Sequence, residues 1–195
     1  LSDRVFVANQ GQHSDKVFAG VYNPDFVTYF QNDGVSFVLG HEAKDASEAE
    51  RSIEKERFLL TFLGGALTPP KLAGLSSSSF GFSDGGSQHT PLEEVSAYNR
   101  LSYINLYSNI DLNFSFEAVR YGLKYEIEVR PGGDVKKVVF GFEEADKLFI
   151  DEHGNLHIQF KHQELVDERP KAYADGEEVP IRYKIEGKQV SFEVG

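Results

Sequence analysis

Glu126 and Glu128 stand two residues apart in the run "RYGLKYEIEVRPGGD" (120–134), the spacing at which side chains share one face of a β-strand. Paired carboxylates about 5–10 Å apart are the machinery of glycoside hydrolysis. Lys124 and Arg130 flank the pair on the same face, however, and Leu123, Tyr125, Ile127 and Val129 alternate on the other. The pattern predicts a strand with its apolar side on a core and its charged side in water. A second candidate is Gly81-Phe82-Ser83-Asp84-Gly85, which matches the G-x-S-x-G nucleophile elbow. That motif works on a sharp strand-to-helix turn above a parallel sheet. Here it lies in "SSSSFGFSDGGSQ" (76–88), which reads as a flexible loop.

The histidines (His13, His41, His89, His153, His157 and His162) form no H-E-x-x-H or other compact ligand set. His153 and His157 would align on a helix, but Gly154-Asn155 between them marks a turn. Asp151-Glu152-His153-Gly154-Asn155 lacks the acidic alternation of an EF-hand loop and reads as a hairpin turn. No metal site and no cofactor are therefore expected. Asn113-Phe114-Ser115 fits the N-glycosylation sequon.

The strongest binding signal is aromatic. In 101–117, Ile104 and Leu106 alternate with Tyr103, Asn105 and Tyr107. After a corner at Ser108-Asn109, Ile110, Leu112, Phe114 and Phe116 alternate with Asp111, Asn113, Ser115 and Glu117. A face carrying Tyr103, Tyr107, Asp111 and Asn113 offers rings for stacking and polar groups for hydroxyls, as a glycan-binding surface does. If those rings face solvent, they make a roughly coplanar platform. Tyr also packs well on strands for its own sake.

Positioning these residues falls to strands almost throughout. Period-two alternation recurs along the chain, punctuated by Asn32-Asp33-Gly34, Pro131-Gly132-Gly133, Glu152-His153-Gly154-Asn155 and Glu186-Gly187-Lys188. Two segments break the pattern. The charged stretch 41–57 holds a capping box at Asp45 and Glu48, and Thr90-Pro91-Leu92-Glu93 supplies N-cap, N1 proline and N3 glutamate for one or two helical turns. The expected fold is an all-β, antiparallel, sandwich-like domain over 1–195, with a long Ser/Gly loop and one or two short helices. Lobes 1–75 and 98–195 joined by 76–97 are the alternative organisation.

Composition bounds the function. With 31 acidic against 20 basic residues, a net charge of −11 argues against nucleic acid, whose binders carry a basic stripe. No apolar run approaches the roughly 18 residues of a membrane helix. The absence of Cys excludes disulfides, thiolate metal sites and Cys nucleophiles together. The chain opens on Leu1 and contains no Met, as expected of a processed or excised part of a longer protein.

Five segments in one order carry a resemblance: "VFVANQGQ" (5–12), "LLTFLGGALTPPKLAG" (59–74), "LSYINLYSNIDLNF" (101–114), the run 122–158 from "GLKYEIEVRPGGD" to "HGNLHI", and "RPKAYADGEEVPIRYKIEGKQVSFEVG" (169–195). Together they resemble the uncharacterised N-terminal domain that precedes SBBP-type β-propeller repeats in bacterial surface and secreted proteins. That family runs F-x-x-N-x-G-Q, Y-x-x-L-Y-P-G-I-D-L, then a strand ending P-G-A-D. This chain departs from it with Ser108-Asn109 for Pro-Gly, with Gly133 for Ala, and in having no Trp.

The resemblance implies export and a place at the cell surface, and carries over no catalytic residue. The expected function is a non-enzymatic structural or adhesion module whose partner is a glycan or another surface protein, without membrane insertion. A carbohydrate-binding module is the first alternative and a hydrolase acting through Ser83 the second.

Overall fold

The computed structural model describes residues 4–23, 26–42, 53–82, 92–117 and 122–195. The strands are β1 (Phe6–Ala8), β2 (Ala19–Tyr22), β3 (Phe26–Phe30), β4 (Gly34–Glu42), β5 (Ile53–Leu63), β6 (Lys71–Phe82), β7 (Leu92–Tyr107), β8 (Ile110–Phe116) and β9 (Leu123–Val129). They continue as β10 (Val139–Gly141), β11 (Lys147–Ile150), β12 (Leu156–Gln159), β13 (Glu164–Asp167), β14 (Ala172–Ala174), β15 (Glu177–Val179), β16 (Ile181–Glu186) and β17 (Gln189–Val194). The only helix among the described residues is a 3-10 turn at Val135–Lys137, capped by Asp134. The protein is all-β and antiparallel, consistent with the sandwich-like class expected.

Contacts divide the chain into two interleaved units. The first comprises Leu1–Val35 with Ala66–Gly133, the second Ser36–Gly65 with Asp134–Gly195. Residues on both sides of 76–97 belong to the first unit.

In the first unit the strand order is β3-β2-β1-β7-β8-β9, with β6 along the other edge of β7. Apolar alternation turns one face inward. Phe6 meets Phe30 edge-on with ring centroids 5.4 Å apart and lies 4.9 Å from Phe116, while Phe30 contacts Phe114 at 5.1 Å. Each such pair is worth about 0.5–1.5 kcal/mol beyond the area it buries.

The second unit holds the order β16-β17-β10-β5-β4, a three-stranded sheet β11-β12-β13 and the hairpin β14-β15. Within it, Phe58 stacks 3.9 Å from Phe160 and 5.3 Å from the half-buried Phe37.

Two expectations need correction. Ser76–Phe82, expected as flexible loop, is the second half of β6. Phe80 and Phe82 lie opposite Val95 and Leu92 and pack on the cluster Val5, Val7, Val95 and Ala97. Two anchors at period two and a long partner strand override a composition that reads as linker, because pairing satisfies a serine backbone as well as any other. Gly81 and Phe82 of the nucleophile-elbow match are in β6, while Ser83, Asp84 and Gly85 lie outside the described residues. So do the capping box at Asp45 and Glu48, and Thr90-Pro91. The helical turns expected beyond Pro91 do not form, since Leu92 and Glu93 already belong to β7, and Ile53 likewise opens β5.

The turn at Ser108-Asn109 lies against Gly133. Tyr107 pairs with Ile110 across Ser108-Asn109, and Asn109 adopts φ +59°, the left-handed conformation that Gly or Asn supplies at the second position of a type II turn. The Asn109 carbonyl accepts the Arg130 N–H at 2.9 Å. A Cβ on Gly133 would sit 2.9 Å from that same oxygen and 3.1 Å from the Arg130 carbonyl, so this chain has no room for alanine there. Gly133→Ala is expected to cost about 1–3 kcal/mol, the range for overpacking against rigid backbone. Urea unfolding of the two proteins measures it.

Candidate functional site

The residues proposed for binding are not brought together on a surface. Tyr103 is 0% exposed, and its hydroxyl donates to the Gln31 carbonyl at 2.6 Å. Burial, with Asp33 nearby, pushes its phenol well above the ordinary value. Tyr107 is 6% exposed. The solvent-facing platform is therefore corrected: both rings belong to the core.

The reason is an irregularity in β7. Tyr103 pairs with Leu112 and Tyr107 with Ile110, leaving three residues between them against one on β8. Asn105 occupies this break at φ +52°. Tyr103 shares the interior with Leu101, whereas after the break Leu106 and Tyr107 are both buried and Asn105 is exposed.

Asp111 holds the break in place. Although only 5% exposed, it accepts the Asn105 N–H at 2.6 Å and the Arg130 Nη1 at 2.5 Å, and Arg130 Nη2 donates to the Asn105 side-chain carbonyl. Arg130 thus ties the end of β9 to β7 and β8. Asn113 stands on the same face of β8 as Asp111, in register with Ser102 and Glu126. Glu126 and Glu128 are exposed, and Glu126 pairs with Lys124 at 3.0 Å, as a solvated strand face requires.

After β1 the chain forms a loop over 9–17 built by its own amides. Asn9 Nδ2 donates to the carbonyls of His13, Ser14 and Val17, and Oδ1 accepts from Gly11 and His13. Gln12 Nε2 donates to the Ala8 carbonyl at 2.6 Å. The loop sets His13 against Tyr22, with which it shares a hydrogen bond, and against Tyr29 at 4.9 Å and Phe82 at 6.2 Å. Burial lowers His13 and raises Tyr22, so both are neutral near pH 7. Their rings meet at 67–81°, apart from the His13–Tyr22 pair at 24° and Tyr22–Phe82 at 60°, which suits mutual packing better than a flat ligand platform.

A cluster of titratable groups lies on the three-stranded sheet. The expected turn at 151–155 forms between β11 and β12, with Gly154 at φ +86°. Asp151 Oδ1 accepts the N–H groups of His153 and Asn155, and Oδ2 accepts Asn155 Nδ2 at 2.9 Å. The same Oδ2 lies 3.2 Å from His157 Nε2, while His157 Nδ1 lies 3.1 Å from Glu164 Oε1 on β13. The ring stacks on Phe149 at 4.6 Å and 10°.

Partial desolvation pushes the Asp151 carboxyl up, but the four hydrogen bonds from Asn155, His157 and His153 outweigh it and hold the group well below the usual carboxylate range. The bond to Asp151 raises His157, desolvation opposes it, and Glu164 raises it further. Only register brings these residues together: His157 is opposite both Phe149 and Val166, which spacing along the chain does not reveal. Among the described residues, no group of three or more His, Asp or Glu side chains is arranged to hold a metal ion.

Substitutions at Asp111 and Asn9 separate these roles. Asp111→Ala strands the Asn105 N–H and the Arg130 guanidinium and is expected to cost on the order of 2–3 kcal/mol in denaturant unfolding. Asn9→Ala removes the amide that closes the 9–17 loop and should cost about 1–3 kcal/mol, and Asn9→Asp should cost at least as much because its carboxylate would face the three carbonyls to which the amide donates. Thermal unfolding of the three proteins measures the order.

No curated protein and no solved structure matches this chain. A family model described as a domain of unknown function, DUF7948, matches residues 6–195, and the chain belongs to that family.

Proposed function

We propose that this domain is a non-enzymatic structural or adhesion module of an exported bacterial surface protein, of the kind that precedes SBBP-type β-propeller repeats. The observation that carries this reading is how the best-placed polar side chains are used. Asn9 and Gln12 close their own loop, Asp111 and Arg130 lock the break in β7, and Asp151 closes the turn before β12. Each spends its donors or acceptors on backbone or on a fixed partner, which is the economy of a scaffold. An excess of acidic residues and a chain without thiols suit exposure outside the cell, since net charge limits self-association and no cysteine is left to oxidise.

The order of motifs described above supports the surface setting. Antibodies raised against the folded domain should label intact cells of the source, and deleting the domain should reduce attachment or shorten the displayed protein's reach. Labelling seen only after permeabilisation would overturn the reading.

A further inference from the structure

His157 is the one residue of its sheet whose two ring nitrogens both face carboxylates, and only one protonation state suits that geometry. An imidazolium donates from both nitrogens, whereas neutral imidazole has one donor and one acceptor. With Asp151 at 3.2 Å and Glu164 at 3.1 Å, loss of the proton sets a ring lone pair against one of the carboxylates. We propose that Asp151, His157 and Glu164 form a proton-operated brace that ties the 151–155 turn to β12 and β13, and that losing one imidazole proton releases it and loosens the three-stranded sheet.

The surroundings favour the charged ring. Phe149 on β11 presents its face to the imidazole at 4.6 Å, and a ring face attracts cations. Lys147 Nζ, 4.8 Å from the same ring, is the cation contributed by β11. On β12 itself Gln159 Nε2 donates to Glu164 Oε1 at 3.1 Å, holding that carboxylate toward the histidine. In the turn, Glu152 and His153 pair with each other at 3.7 Å, on the solvent side. Beyond β13, the Arg169 N–H donates to Asn155 Oδ1 at 2.9 Å while its side chain lies over Gly154. Val166 is the uncharged neighbour from β13. The brace carries two carboxylates against one imidazolium, so protonation brings its charge from two negatives to one. The His157 side chain is 18% exposed, open enough to exchange a proton with water.

The direction with pH follows from the two titrations. His157 is raised, so its stabilisation is complete below about pH 6.5 and disappears as pH rises through its folded value. Asp151 is lowered, so its share is complete above about pH 3.8 and is lost as pH falls well below that. The brace is therefore strongest between those limits and opens on the alkaline side.

Nuclear magnetic resonance of the whole chain tests this. The His157 ring should titrate above about 6.5, and Glu164→Gln, which keeps the shape of the side chain, should move it down toward the ordinary value. Above the folded pKa, amides of β11–β13 should lose protection, after correction for base catalysis, by about tenfold if His157 titrates one pH unit above its opened-state value. Amides of β16 and β17 should not follow. His157→Gln should remove the pH dependence of protection while β16 and β17 remain protected. A folded protein in which His157 titrates at or below about 6.5, or in which β11–β13 protection is unchanged as the ring loses its proton, overturns the proposal.

Discussion

A carboxylate buried as deeply as Asp111 must be met by donors, and the first unit is arranged around meeting that need. Its two oxygens take the Asn105 N–H and the Arg130 guanidinium. The first of these is free to donate because β7 breaks its ladder with β8 between Tyr103 and Tyr107. The break in turn lets Tyr107 join the core, and Arg130 draws in the chain end that follows β9. The break in the β7–β8 ladder, the place of Tyr107 and the course of the chain after β9 are tied to one buried carboxylate and its partners, because leaving a buried donor or acceptor unpaired is costly.

Elsewhere the chain solves the same accounting problem with neutral or exposed groups. Asn9 gathers carbonyls and N–H groups of its own loop, and Asp151 gathers N–H groups two and four residues ahead. Both are side-chain substitutes for secondary structure at places where the backbone has no ladder to join. Asp151 differs in that its second oxygen also reaches a histidine. A turn that would otherwise be only structural thereby acquires a proton in its wiring.

Much of the fold was legible from alternation. The strands around Leu123–Val129, Ile110–Phe116, Lys147–Ile150 and Gln189–Val194 follow period two, and the turns at 131–133, 151–155 and 187–188 follow Gly, Asn and Asp. Legibility failed where a residue's environment is set by its partner strand. The serines of β6 resemble a linker until Phe80 and Phe82 find Val95 and Leu92. Tyr103 looked solvent-facing because the alternation was read through Asn105 as if no residue there changed the phase. The brace around His157 was invisible for the same reason, since its members come from a turn and two strands.

By itself, then, the sequence determined the β class, most turns and the acidic, thiol-free character of the chain, because period, glycine and charge act locally or by simple sum. Tertiary structure alone decided which tyrosines are core, which carboxylate is buried with an arginine, and which histidine is held between two carboxylates. Those outcomes depend on cross-strand register, and register is fixed only when strands distant in sequence pair and bury their faces together.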